Sequence, residues 1–150
     1  MGKTIKNFMV FAVLLVFISF DYPAQKEKYA LTIKVEALRN SKGVVQFTLY
    51  NKEGSLPDVK FKAYYKQSTA AINDGKSSLT FSDLPKGRYA INVLHDENEN
   101  GKIDKRLILP IEGIGFSNYE SIGLTNRPNF SKASFELDSD ITVVPKMIYK

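Results

Sequence analysis

The chain has 150 residues, 43% of them hydrophobic and 25% charged, with no Cys, no Trp, one His and a formal net charge of +5. That length suits one domain and excludes a large multidomain enzyme. Without thiols there are no disulfides, thiolate metal sites, cysteine nucleophiles or lipidated N-terminal cysteine, and any Ser-His-Asp triad or multi-histidine metal site would rest on His95 alone.

Lys3 and Lys6 precede an apolar run from Phe8 to Phe20, interrupted only by Ser19, and polar sequence resumes at Asp21. A positive segment followed by a short apolar one is the layout of a secretory signal peptide, and a bilayer-spanning helix needs about 20 apolar residues. Residues 1–24 are therefore expected to be a leader, although no clean small-x-small triplet marks its cleavage site, and residues 25–150 an exported domain, periplasmic or extracellular. Losing the leader removes Lys3, Lys6 and Asp21 and lowers the net charge from +5 to +4. The remaining lysines are scattered, with no Arg-rich helix and no long run of like charge, which suits a solvated surface better than a nucleic-acid or membrane partner.

Strand patterning dominates the exported part. Tyr29, Leu31, Ile33, Val35 and Ala37 alternate with polar or small residues, and Val45, Phe47 and Leu49 resume the alternation after the turn Arg39–Gly43. The two segments are expected to form a hairpin. Val59, Phe61, Ala63 and Tyr65 alternate with Lys60, Lys62, Tyr64 and Lys66, predicting a further strand, and Asn73-Asp74-Gly75 is turn chemistry. Leu79 and Phe81, then Tyr89, Ile91 and Val93 after the turn Leu84–Gly87, then Ala133, Phe135 and Leu137, continue the pattern. A last segment, Ile141–Tyr149, carries Pro145 and so suits a sheet edge. The expectation is all-β: an antiparallel Greek-key β-sandwich, transthyretin- or immunoglobulin-like, of about seven to eight strands.

The chemistry concentrates after Leu94. Counting Asp96 as position 1, oxygen-bearing side chains of Asp96, Asn98, Asn100 and Asp104 fall at positions 1, 3, 5 and 9, Gly101 at 6 and the Lys102 carbonyl at 7. Ca2+ takes six to eight hard oxygen ligands around a tight loop, and this spacing converges them while Gly takes the sharp turn. Position 12, where an EF-hand places a bidentate Glu, is Leu107, and the flanks are strands, so Glu112 is the nearest acidic residue downstream able to complete the shell. Residues 96–104 carry Asp96, Glu97, Glu99 and Asp104 against Lys102, a local charge of −3 within a basic protein. The other reading of the same residues is a surface loop whose Asn and Asp side chains bond their own backbone in Asx-turns.

His95-Asp96-x-Asn98-x-Asn100-Gly101-Lys102-x-Asp104, followed by Pro110-x-Glu112-Gly113-x-Gly115-Phe116-Ser117-Asn118 and Pro128-x-Phe130, resembles a widespread bacterial domain of unknown function found in small exported proteins. The strand-entering turn Leu84-Pro85-x-Gly87-x-Tyr89 is similar to that family's and, more loosely, to that of transthyretin-like (prealbumin-like) sandwiches. The resemblance covers about residues 29–149 and implies a transthyretin-like sandwich outside the cytoplasm with no established activity.

No Ser sits in a nucleophile-elbow context, His95 at a strand end suits a structural hydrogen-bonding role, and the carboxylates gather on one loop rather than across a cleft. No catalytic residue is assigned. The expected function is a non-enzymatic binding or accessory module for an envelope or extracellular protein or glycan, with Ca2+ as its ion. The alternative is a small-ligand carrier with a pocket between the sheets or at a dimer interface, lined by Tyr29, Tyr50, Tyr64, Tyr65 and Tyr89.

Overall fold

The computed structural model describes residues 27–106 and 109–150. The predicted leader and Leu107 lie outside the described residues. Ten strands and one helical turn follow in chain order: β1 (Lys28–Val35), β2 (Val44–Tyr50), β3 (Lys66–Ala71), β4 (Ser77–Pro85), β5 (Gly87–Asp96), β6 (Lys105–Arg106), β7 (Leu109–Pro110), β8 (Gly113–Phe116), α1 (Phe130–Ala133), β9 (Phe135–Leu137) and β10 (Ile141–Val143).

Alternation sets the faces. In β1, Leu31, Ile33 and Val35 are fully buried, while Thr32 faces outward and its hydroxyl meets that of Thr80 at 2.9 Å. One sheet has the order β10-β1-β4 and the other β3-β2-β5-β8, with β9 also paired to β5. Between them lies a core built from Leu31, Ile33, Val45, Phe47, Ile91 and Val93 with their neighbours. Each such side chain contributes about 1.5–3 kcal/mol by leaving water. The all-β sandwich expected from the sequence is what forms, with antiparallel pairing throughout except that β1 and β10 run parallel.

Two strand assignments differ from expectation. β1 and β2 are not a hairpin: β1 pairs with β4 and β2 pairs with β3 and β5, so the turn at 36–43 carries the chain from one sheet to the other. A period of two identifies a strand's buried face but not its partner. The segment 59–65 is a loop: Phe61 has φ 48 and is buried, Val59, Tyr64 and Tyr65 are exposed, and Asp58 Oδ2 accepts from the Ala63 N–H. The strand follows it, as the polar edge strand β3. Ala133 likewise ends the helical turn α1, whose N-cap Asn129 accepts from the Lys132 N–H at 2.9 Å, before β9 begins.

β5 is buried on both faces, from Tyr89 through Asp96. Tyr89, Ile91 and Val93 point into the core between the sheets, while Ala90, Asn92 and Leu94 point the other way, under a second apolar layer that includes Tyr50, Leu56, Ile114, Phe116, Tyr119 and Phe130. Ser117 ties this layer down, accepting from the Ile91 N–H at 2.9 Å and donating to the Ala133 carbonyl at 2.6 Å. Tyr50 and Tyr89 thus sit on opposite faces of one sheet, their hydroxyls donating to Asp58 and to the Pro85 carbonyl respectively.

Phe47 in the core and Thr32 on the outer surface give a contrast that urea denaturation can measure. Phe47→Ala is expected to lower stability by about 3–5 kcal/mol. Thr32→Ala, removing one exposed cross-strand bond, is expected to cost less than about 1 kcal/mol.

Candidate cation site

The acidic loop leaves the last residue of β5. Asp96 pairs across the strand with Val44 and is buried, with 2% of its surface exposed. Its carboxylate caps the loop from below: Oδ1 accepts from the Asn100 N–H at 3.1 Å and Oδ2 from the Gly101 N–H at 2.7 Å. Gly101 has φ 70, a conformation open to Gly at no steric cost and the reason this residue type stands at the turn. Asn98 Oδ1 also accepts from the Asn100 N–H, and Asn100 Oδ1 from the Lys102 N–H. The amide nitrogens of Asn98 and Asn100 donate to Asp104 at 2.6–3.1 Å.

Glu112 reaches this loop from the connection between β7 and β8. Its Oε1 accepts from the Glu97 N–H at 3.0 Å and its Oε2 from the Asp104 N–H at 3.3 Å, so one buried carboxylate holds both ends of the loop together. Burial raises the Glu112 pKa above the ordinary carboxylate value; the two N–H bonds oppose that, and the charges of Asp104 and Asp96 add to it. Five of the six residues singled out, Asp96, Asn98, Asn100, Asp104 and Glu112, therefore join one network, and Lys102 joins through its N–H rather than its carbonyl. Among the described residues, no three His, Cys, Asp or Glu gather closely enough to hold a metal by themselves. A cation here would need the amide oxygens as well. Beneath the loop lies Gln46, whose Nε2 is buried without a partner and whose Oε1 is 4.0 Å from where a Gly101 Cβ would sit.

Of the residues between the loop's ligand positions, Glu99 is exposed, Ile103 packs against the second apolar layer and Glu97 turns to the segment 36–43. Glu97 bonds Arg39 and Asn40, with its Oε1 2.5 Å from the guanidinium. Burial alone would raise the Glu97 pKa, but the Asn40 and Arg39 hydrogen bonds and the guanidinium charge outweigh it and hold the carboxyl below its ordinary value. His95, fully buried, faces the Lys42 carbonyl through Nε2 at 3.0 Å and the Tyr149 hydroxyl through Nδ1 at 2.9 Å. A carbonyl only accepts, so Nε2 carries the proton and Nδ1 accepts from Tyr149. Burial raises the Tyr149 pKa despite the opposing bond and charge from Arg39, which keeps the phenol a donor. Arg39 also lies over the Tyr149 ring, 5.0 Å from its centroid.

Gly113 and Gly115 serve this arrangement by close approach rather than by a turn. A Cβ on Gly113 would lie 2.3 Å from the Tyr149 ring, and one on Gly115 2.8 Å from the Lys146 carbonyl. The bare backbone lets the C-terminal segment cross β8, where Ile114 and Ile148 exchange two backbone hydrogen bonds.

A family model described as "Uncharacterized protein conserved in bacteria (DUF2141)" matches residues 33–144. The chain belongs to this family. The DUF2141 match runs from within β1 to just beyond β10 and so spans the acidic loop, Glu112 and both glycines. No curated protein and no solved structure matches the DUF2141 chain.

Two expectations follow from this geometry. Gly113→Ala should displace Tyr149 and cost about 1–3 kcal/mol in urea denaturation, while Gly123→Ala, where a Cβ meets open space, should stay within about 0.5 kcal/mol of the parent. Because the Glu97 pKa is lowered on folding, its stabilisation is present above the ordinary carboxylate range and is lost as pH falls through the lowered value. Glu97→Gln should therefore cost about 1 kcal/mol at neutral pH, the Arg39 partner being partly solvent-screened. The difference should vanish in acid when both proteins are melted across pH.

Proposed function

We propose that this DUF2141 protein is an exported, non-enzymatic binding module whose 96–112 loop is ordered by Ca2+ and presents a surface to a protein or glycan of the cell envelope. The observation that carries the reading is Glu112: a buried carboxylate drawn across to the loop that holds Asp96 and Asp104, its pKa raised by burial first and by those like charges in addition. A cation between them would offset that repulsion. The surrounding donors are carboxylate and side-chain amide oxygens, a hard set that Ca2+ takes in a flexible geometry, whereas Mg2+ prefers to keep several waters. Asn98 and Asn100 would present their oxygens by turning away from Asp104, exchanging amide hydrogen bonds for ion contacts.

Export rests on the predicted leader at residues 1–24. The non-enzymatic reading is supported by His95, both of whose ring nitrogens are engaged internally. The envelope partner is inferred from the address and from a loop held at one end of a rigid sheet.

Calorimetric titration of the purified protein with CaCl2 tests the ion. Saturable binding with Kd of about 10^-4 to 10^-3 M is expected, as for extracellular calcium modules. At a tenfold excess over Kd, linkage gives about 1.4 kcal/mol, a rise in Tm of roughly 4–6 °C. Asp96→Ala and Glu112→Gln should each abolish the heat and the shift. No heat in the parent protein, or an unchanged response in Glu112→Gln, refutes the ion; capture of envelope components that persists in EDTA refutes its coupling to the partner.

A further inference from the structure

On the outward face of β5 the second layer leaves a cavity of about 380 Å³, within the range of small-molecule sites. Its walls include Ile103, Ile114, Phe116, Ile122 and Leu124, and Leu124 and Val59 at its edge are 71% and 48% exposed. Asn92 lines the same cavity from mid-strand, 1% exposed, and its Oδ1 is buried with no hydrogen-bond partner. A buried acceptor left unmade costs about 1–3 kcal/mol, so a ligand that reached this oxygen with a donor, as the Asn92 side chain turned toward the cavity, would recover that cost. The mouth is positive: Lys105 and Arg127 line it, and among the described residues neither pairs with a carboxylate. The one acidic residue of the lining, Asp58, is already engaged by the Ala63 N–H and the Tyr50 hydroxyl.

We propose that this cavity binds a small amphipathic organic acid, with its apolar body against Ile114 and Phe116, a hydroxyl or N–H donated to Asn92 at the buried end, and its carboxylate between Lys105 and Arg127 at the mouth. Asn92 and Arg127 lie outside the 96–112 loop, while Ile103 and Lys105 belong to it, so the cavity shares one wall with the proposed calcium loop. An apolar wall alone would accept any oily molecule; the buried acceptor and the cationic mouth specify a polar group at each end.

The test uses ω-hydroxydecanoate, with decanoate and decanediol as partners lacking one polar end each, titrated into the full protein and followed by calorimetry and amide chemical shifts in EDTA. Saturable binding of the hydroxy acid with Kd below about 1 mM is expected, with shifts confined to the walls named above. Asn92→Leu removes the orphaned acceptor, so it should leave Tm unchanged or raised while weakening the hydroxy acid about tenfold and decanoate hardly at all. Arg127→Gln should weaken both acids and leave the diol unchanged. The proposal is overturned if the hydroxy acid does not saturate, if Asn92→Leu binds it as tightly as the parent, if shifts map elsewhere, or if light scattering shows a second copy covering the cavity. Calcium heats measured separately keep the two readings distinguishable.

Discussion

Everything in this molecule is organised around burying β5 on both faces. A ten-residue central strand with β2 on one side and β8 and β9 on the other has its backbone satisfied along most of its length, so its side chains decide the layers. Tyr89, Ile91 and Val93 close the core against the β10-β1-β4 sheet; Ala90, Asn92 and Leu94 require a second cover, which the loops and α1 supply. Both candidate sites are consequences of that arrangement. The acidic loop begins where β5 ends, so Asp96 inherits the rigidity of the sheet, and the cavity is a gap in the second cover beside Asn92.

Rigidity also explains how Glu112 finds the loop. β8 returns antiparallel to β5, pairing His95 with Gly113, and continuing this register brings the residue before Gly113 to Asp96, from where its carboxylate accepts from the Glu97 N–H. Gly113 in turn admits the Tyr149 ring, and Tyr149 holds His95. One chain of contacts, from the C-terminal segment through Tyr149 and His95 to the Lys42 carbonyl, thus fixes the base of the loop. Glu97 and Arg39 brace its outer side. The negative charge is distributed accordingly: Glu97 is paired and lowered in pKa, while Glu112 is raised by burial, with the charges of Asp104 and Asp96 adding to it.

Much of this was legible in the residues. The alternations around Ile33, Phe47 and Ile91 reported their buried faces, and Asp96, Asn98, Asn100 and Asp104, chosen by spacing, share one network with Glu112, chosen as the next acidic residue; its bonds to the loop's own N–H groups are those of the Asx-turn reading. Partner choice was not legible, because the turn at 36–43 crosses between sheets and nothing in a period of two says so. The segment 59–65 alternates yet loops, since Phe61 alone is an anchor, and β3 was hidden because an edge strand of Lys, Gln, Ser, Thr and Ala carries no apolar stripe. Asn92 was invisible for a related reason: a polar residue mid-strand reads as facing solvent, and only the second layer, assembled from residues as distant in sequence as Tyr50, Ile114 and Phe130, buries it. The burial of Gln46 close to Gly101 was concealed in the same way.

The central claim is that the network closed by Glu112 responds to calcium at the end of β5. The most direct measurement follows the backbone amides of Glu97, Asn100, Gly101 and Asp104 by nuclear magnetic resonance as CaCl2 is added. These N–H groups now donate to Glu112, Asp96 and Asn98, so an ion drawing on those oxygens should shift all four together along one saturation curve, with Mg2+ at equal concentration doing far less. Four amides that stay unmoved at millimolar calcium, or that move equally with Mg2+, would contradict the account.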